Sequence, residues 1–163
     1  MPTQTPPRWD LSNVYPSLSS PKYVNDFTQL NQLLTEQENL LIEKAAVMDN
    51  KTDAGKLASL AKALIDQYND ILVLAGTLRS YLESFISTDS YNKEALKKQS
   101  EFDQARVKLD KVEVMMTAWI GKNAERLPEM LNTEPELHAH EYFLKECIKQ
   151  SQFLMSEEEE VLA

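Results

Sequence analysis

Between Pro21 and Pro128 the chain carries no proline, and in that stretch only Gly55, Gly76 and Gly121 supply glycine. Proline breaks a helix from within, and chains rich in strands need turn residues at short intervals. About a hundred residues with so little punctuation predict long helices rather than many short strands.

The apolar spacing leads to the same expectation. Phe27, Leu30, Leu34, Leu41 and Met48 mark one stripe of a first helix running from Pro21 to Met48, and Leu33, Leu40 and Val47 form a second stripe beside it. Asp49 to Thr52 reads as a turn. The second helix, starting at Thr52 or Asp53, places Leu57, Ala61, Leu64, Tyr68, Ile71, Ala75, Leu78, Leu82 and Phe85 at alternating steps of four and three. That is a heptad seam. Ile65, Leu72 and Ile86 widen it on one side, and Leu60, Leu74 and Tyr81 on the other. A face so broad needs more than one neighbour. The second helix is therefore expected at the centre, with contacts left over for a partner outside these residues. Arg79 lies on this face and calls for an acid on another element, whether within the chain or on a missing part; an exposed edge fits equally.

Ser87, Thr88, Asp89 and Ser90 offer N-cap candidates for a third helix reaching Ile120, with Phe102, Ala105, Leu109, Val112, Met116 and Trp119 on its apolar side. Gly121 is the expected stop, because glycine enters the left-handed region cheaply. A short helical turn around Pro128 to Leu131 follows. Thr133 and Glu136 have capping-box spacing with Pro135 between them, opening an element from Glu134 to Gln150 that buries Leu137, Leu144 and either Cys147 or Ile148. Ahead of the helices, prolines hold residues 1–20 in an extended arm, and apolar Trp9, Leu11, Val14 and Tyr15 suggest that it lies on something. Ser20 can cap the first helix, with Pro21 in its first position. The expected fold is all-α: three long antiparallel helices in a bundle plus shorter C-terminal helices across residues 21–163, preceded by the arm. At the far end Ser156 to Glu159 is another capping box, and Val161 and Leu162 begin an apolar face. So short a helix is unstable alone, so the chain is expected to continue beyond Ala163. A frayed acidic tail is the plainer alternative.

Composition narrows the partners. The 163 residues fit one domain and carry a net charge of -9, from 26 acidic and 17 basic side chains. Such a balance repels phosphate backbones and anionic lipid, so neither nucleic acid nor membrane is an expected partner. No apolar run approaches the roughly 20 residues of a membrane span. Met1 to Pro7 lacks the pattern of a signal peptide, and the single Cys147 cannot form an internal disulfide. These features point to a reducing, cytoplasmic setting.

No catalytic, cofactor-binding or metal-ligating residue emerges. His140-Glu141 begins like the zinc motif HExxH, but Leu144 stands where the second histidine belongs. Glu136 and His140, four apart, would share a helix face and supply two ligands only. A surface hydrogen bond is the commoner use of such a pair. Cys147 sits at the apolar side of its helix, where cysteine acts as a small hydrophobe. Met115, Met116, Met130 and Met155 are more often core filler than a peptide groove. The chain has neither a glycine-rich phosphate loop nor a serine nucleophile elbow.

Several stretches, in order, resemble one family. Trp9-Asp10-Leu11-Ser12-Asn13-Val14-Tyr15-Pro16 is similar to the opening W-D-L-S-x-L-Y of the oligoendopeptidase F family. Ser20-Pro21 before a leucine-rich helix, the break at Ser87-Thr88-Asp89, the Leu127-Pro128-Glu129 turn, and Leu137 to Leu144 followed by Met155-Ser156-Glu157-Glu158-Glu159-Glu160 follow in the same order. Phe153 departs from the pattern, since many members have histidine there. The resemblance implies a cytoplasmic zinc metallopeptidase that cuts short peptides. Its HExxH helix and further glutamate ligand lie well beyond this region, so none of its ligands maps onto this chain. The implied role here is a non-catalytic N-terminal lobe, one wall of a substrate channel, with the catalytic lobe of the same polypeptide as partner. A free-standing helical module that self-associates through its heptad seams is the alternative.

Overall fold

The computed structural model describes residues 10–154, which are all-helical with no strand among them. Five α-helices follow one another in this region: α1 (Pro21–Glu43), α2 (Ala54–Thr88), α3 (Lys93–Lys122), α4 (Leu127–Thr133) and α5 (Glu141–Ser151). Short 3₁₀ pieces at Ala45–Val47, Ala124–Arg126 and Pro135–His140 link them.

The long helices begin where short polar side chains replace the missing backbone acceptors. Ser20 Oγ accepts from the Tyr23 amide at 3.4 Å, and Pro21 occupies the first turn. The Asp53 carboxylate accepts from Lys56 N at 3.2 Å. The side chain of Asn92 accepts from Ala95 N at 3.0 Å. The cap of α3 is therefore Asn92, not a residue of the Ser87–Ser90 run. Asp89 instead closes α2, its amide donating to the Phe85 carbonyl at 2.8 Å. α1 also ends early. It stops at Glu43 and tightens into a 3₁₀ turn, which buries Ala45 and leaves Val47 exposed.

The broad face of α2 is closed from within the chain. Leu57, Leu60, Ala61, Leu64, Ile65, Tyr68, Ile71, Ala75, Leu78, Tyr81 and Leu82 are all buried, covered by α1, α3 and α4. Of the large apolar residues of α2, Leu72 and Val73 remain exposed. Three neighbours inside the chain sheathe the seam itself, so it is not free to pair with a second copy, while Leu72 on its flank stays open. At roughly 1.5–3 kcal/mol for each fully buried large aliphatic side chain, this seam is a principal source of stability.

The core divides into two clusters. One gathers Leu30, Leu34, Ile71, Leu78, Leu82, Phe102 and Ala105 around Tyr15, Tyr23 and Tyr81. The other gathers Leu41, Leu57, Leu64, Tyr68, Val112, Met116, Trp119, Leu137, Leu144 and Cys147. The first joins α1, α2 and α3 to the segment ahead of α1. The second adds α4, α5 and the 3₁₀ segment between them.

Gly121 does not end α3 by a left-handed turn. It lies inside the helix, no residue in the described region has positive φ, and the helix runs on to Lys122. Its use is spatial. A Cβ placed there would lie 2.0 Å from Ser151 Oγ and 2.3 Å from Ser151 Cβ. The missing side chain lets the end of α5 press against α3.

Candidate functional site

The segment ahead of α1 folds through turns rather than running extended. Val14 N and Tyr15 N both donate to the Leu11 carbonyl, and Ser12 N donates to the Asp10 carboxylate at 2.9 Å. The hydrogen bonds from Ser12 hold the Asp10 carboxyl below its ordinary range. The turns lead Tyr15 and Leu18 into the core. Tyr15 Oη donates to Asp26 Oδ2 at 2.8 Å, and its carbonyl accepts from Tyr81 Oη at 2.8 Å. Lys22 Nζ sits 5.0 Å from the Tyr15 ring centre and donates to the Val14 carbonyl at 2.7 Å. Tyr15 meets Tyr23 edge-on at 5.3 Å and Tyr81 at 5.0 Å. Burial pushes the Tyr15 and Tyr81 hydroxyls up, and it pushes Tyr23 up to about 12. All three hydroxyls are held neutral, which does not suit a general base at neutral pH; those of Tyr15 and Tyr81 act as fastenings, while the Tyr23 hydroxyl is buried without a hydrogen-bond partner.

The histidine region does not assemble a ligand set. Residues 135–140 form a 3₁₀ segment, so Glu136 and His140 stand about a third of a turn out of line and the shared face expected of them is lost. Glu136 pairs with Lys62 at 3.0 Å, and Lys62 also reaches Asp66 at 2.6 Å. Those hydrogen bonds hold the Lys62 ammonium above its ordinary range. His138 Nδ1 lies 3.4 Å from Glu141, which is bound by Lys145 at 2.6 Å. Lys145 foremost, then His138, keeps the Glu141 carboxyl low. Among the described residues no group of three or more His, Cys, Asp or Glu side chains is placed to hold a metal.

The remaining candidates serve packing or solvent. Cys147 is buried, with Thr117 Oγ1 4.0 Å from its sulfur, and burial pushes the thiol up, away from thiolate chemistry. Met116 and Met130 are core residues and Met115 packs against them, while Met155 lies outside the described residues. Arg79 faces outward and pairs with Glu83 on its own helix at 2.8 Å. Trp9 and the Ser156–Glu160 run also lie outside the described residues.

Among the described residues, two surface depressions stand out. A cleft of about 520 Å³ opens between the end of α1, the start of α2 and the end of α4, lined by Leu40, Met48, Asp53, Lys56, Leu60 and Thr133. Two of its polar groups are engaged, Asp53 as the cap of α2 and Thr133 Oγ1 as a donor to the Glu129 carbonyl at 2.8 Å, while Lys44, Lys56, Ser59 and Glu134 also line it. A smaller one of about 180 Å³ lies beside Asp110, Glu113, Thr117 and Gln150. Neither brings a nucleophile to a base.

Two structurally important residues escaped the reading of the sequence. Tyr23 and Gln37 are both fully buried. The signal was there for each: Tyr23 stands seven residues before Leu30, and Gln37 falls between Leu34 and Leu41 on the same stripe. Comparison with known proteins adds nothing to this picture, since no protein-family model, curated protein or solved structure matches the chain.

Proposed function

We propose that this chain is the non-catalytic N-terminal helical lobe of an oligoendopeptidase F-like zinc metallopeptidase that hydrolyses short peptides in the cytoplasm. The observation that carries the reading is the order and spacing of the motifs from Trp9-Asp10-Leu11 through Leu127-Pro128-Glu129 to Ser156-Glu157. In this reading α1, α2 and α3 form an antiparallel bundle, the leading residues clasp it as an arm, and the outer surface is one wall of the peptide channel. The described part of the opening motif acts together, which supports the reading: Asp10 makes the turn, Leu11 and Val14 pack on the cluster, and Tyr15 is the anchor. Zinc, with the water it activates, belongs to the catalytic lobe of the same polypeptide. The reading frame beyond Ala163 is the test. HExxH with a later glutamate is the expected finding, and a stop at the next codon overturns the proposal. The purified chain with added zinc is expected to leave short fluorogenic peptides uncut.

A further inference from the structure

Leu30, Leu34 and Leu41 of α1 are buried against α2 and α3, and Gln37 occupies the position between the last two. A leucine there would turn the stripe into an unbroken ladder at alternating spacings of four and three. Hydrophobic burial has no direction, so a helix bearing such a ladder can slide by one turn and set leucine in leucine's place. Gln37 differs from its neighbours in needing a partner at one height only. It is fully buried; its Nε2 donates to the Leu64 carbonyl at 2.9 Å and lies 4.0 Å from Met116 Sδ. Its Oε1 is buried with no hydrogen-bond partner. An amide satisfied on one side only is a costly way to fill a core position.

The flanking residues guard against rotation. Glu36 Oε2 lies 3.3 Å from Gln67 Nε2 at the surface, and Glu38 pairs with Lys111 at 2.6 Å. Turning α1 by one residue, to bury Leu33 and Leu40 instead of Leu34 and Leu41, would carry the Glu36 carboxylate into the slot beside the Leu64 carbonyl. A buried unpaired charge forbids that. Rotation is thus blocked by Glu36, and on the buried side of the stripe's middle it is Gln37 whose side chain needs a partner at one height, the exposed pairs of Glu36 and Glu38 being able to re-form with solvent or other partners. Gln37 also lies where the two core clusters meet, with Leu34 on one side and Leu41 on the other.

We propose that Gln37 is a positioning residue that fixes the axial register of α1 against α2 and α3, as a single polar core residue fixes register in a coiled coil. The test compares the intact chain with Gln37→Leu and the unbranched Gln37→Met. Both variants are expected to keep the helix content and denaturation midpoint of the parent. Amide protection in α1 should fall about tenfold or more relative to α2, and α1 resonances in a ¹H–¹⁵N spectrum should split or broaden. One sharp set of α1 resonances with unchanged protection overturns the proposal. A lowered midpoint with a single α1 conformation also overturns it, because the amide would then be only a stabilising bond. If Gln37→Leu does not fold, Gln37→Met is read by the same criteria. Failure of both makes the amide a requirement of the fold itself and removes the register role.

Discussion

At the end of the molecule where α1 starts, the core is built around three phenol rings, those of Tyr15, Tyr23 and Tyr81, with Phe85 edge-on to Tyr81 at 5.1 Å. At the other end it is built mainly from leucine, alanine and methionine, with Trp119 and Tyr68 as its large rings. The chemistry differs because the things to be held differ. Ahead of α1 lies a non-helical segment whose carbonyls have no helical partner. A ring with a polar tip can pack and satisfy such a group together, as Tyr81 does for the Tyr15 carbonyl. At the other end the helices α4 and α5 satisfy part of their backbone internally, and apolar packing holds them to the core. There the polar fastening concentrates on the link between α1 and α2. Arg126 donates to the Asn50 and Thr52 carbonyls, and Trp119 Nε1 donates to the Met48 carbonyl at 3.4 Å. Side-chain donors appear where the backbone is left short of partners.

The largest expected effect comes from emptying either cluster. Leu78→Ala and Leu64→Ala, each at a fully buried site, should cost about 2–5 kcal/mol in urea denaturation. Hydrogen exchange then sharpens the comparison: each variant should lose protection chiefly in its own cluster, and an even loss over the whole chain would mean the two ends are one unit. Alkali bears on both ends next. Tyrosine ionises near pH 10 when unfolded, whereas folded Tyr23 ionises at about 12. The unfolded chain therefore loses its proton first, and stability present below pH 10 is lost as pH rises toward 12, by about 2 kcal/mol for Tyr23 alone. Tyr15 and Tyr81 shift in the same direction, and so does buried Tyr68 in the other cluster, so urea denaturation should show both ends weakening together as pH rises. A midpoint that does not fall across this range would mean that burial does not hold these phenols neutral. Gly121→Ala tests the other end alone. Overpacking against Ser151 outweighs the gain in helix propensity, for a net loss of roughly 1–2 kcal/mol, recovered in part by adding Ser151→Gly. The smallest change is Tyr81→Phe, about 1 kcal/mol. Its informative readout is faster protease cleavage within residues 10–18, with α5 unaffected.

The long helices were legible because their signal is periodic and repeated over many turns. The buried set of α2 matches the seam read from Leu57 to Leu82, and Leu137, Leu144 and Cys147 fall where the apolar spacing put them. What failed was local or depended on distant neighbours. Asn92 took the cap from the Ser87–Ser90 run because α2 extends through Thr88 and uses that run as its own end. Gly121 looked like a terminator, and only Ser151, thirty positions on, reveals why a side chain is missing. The Glu136–His140 pairing assumed 3.6 residues per turn in a segment that winds more tightly. Arg79 faces solvent because the apolar face, though wide, stops short of it. The apolar width of α2 did not reveal which neighbours would share it, and α4, far along the chain, covers its start. For the same reason the residues that decide function were not legible: neither histidine nor the cysteine has convergent chemistry around it, and the strongest functional signal remains the order of short motifs.

The bond from Tyr81 to Tyr15 spans 66 positions. During synthesis, Tyr15 leaves the ribosome well before Tyr81 exists. The bond of Tyr15 to Asp26 can form early, but its carbonyl must wait until most of α2 has emerged and settled on α1. The segment ahead of α1 is in this sense locked late in assembly, and a nascent chain halted before Tyr81 would hold Tyr15 by its short-range contacts alone.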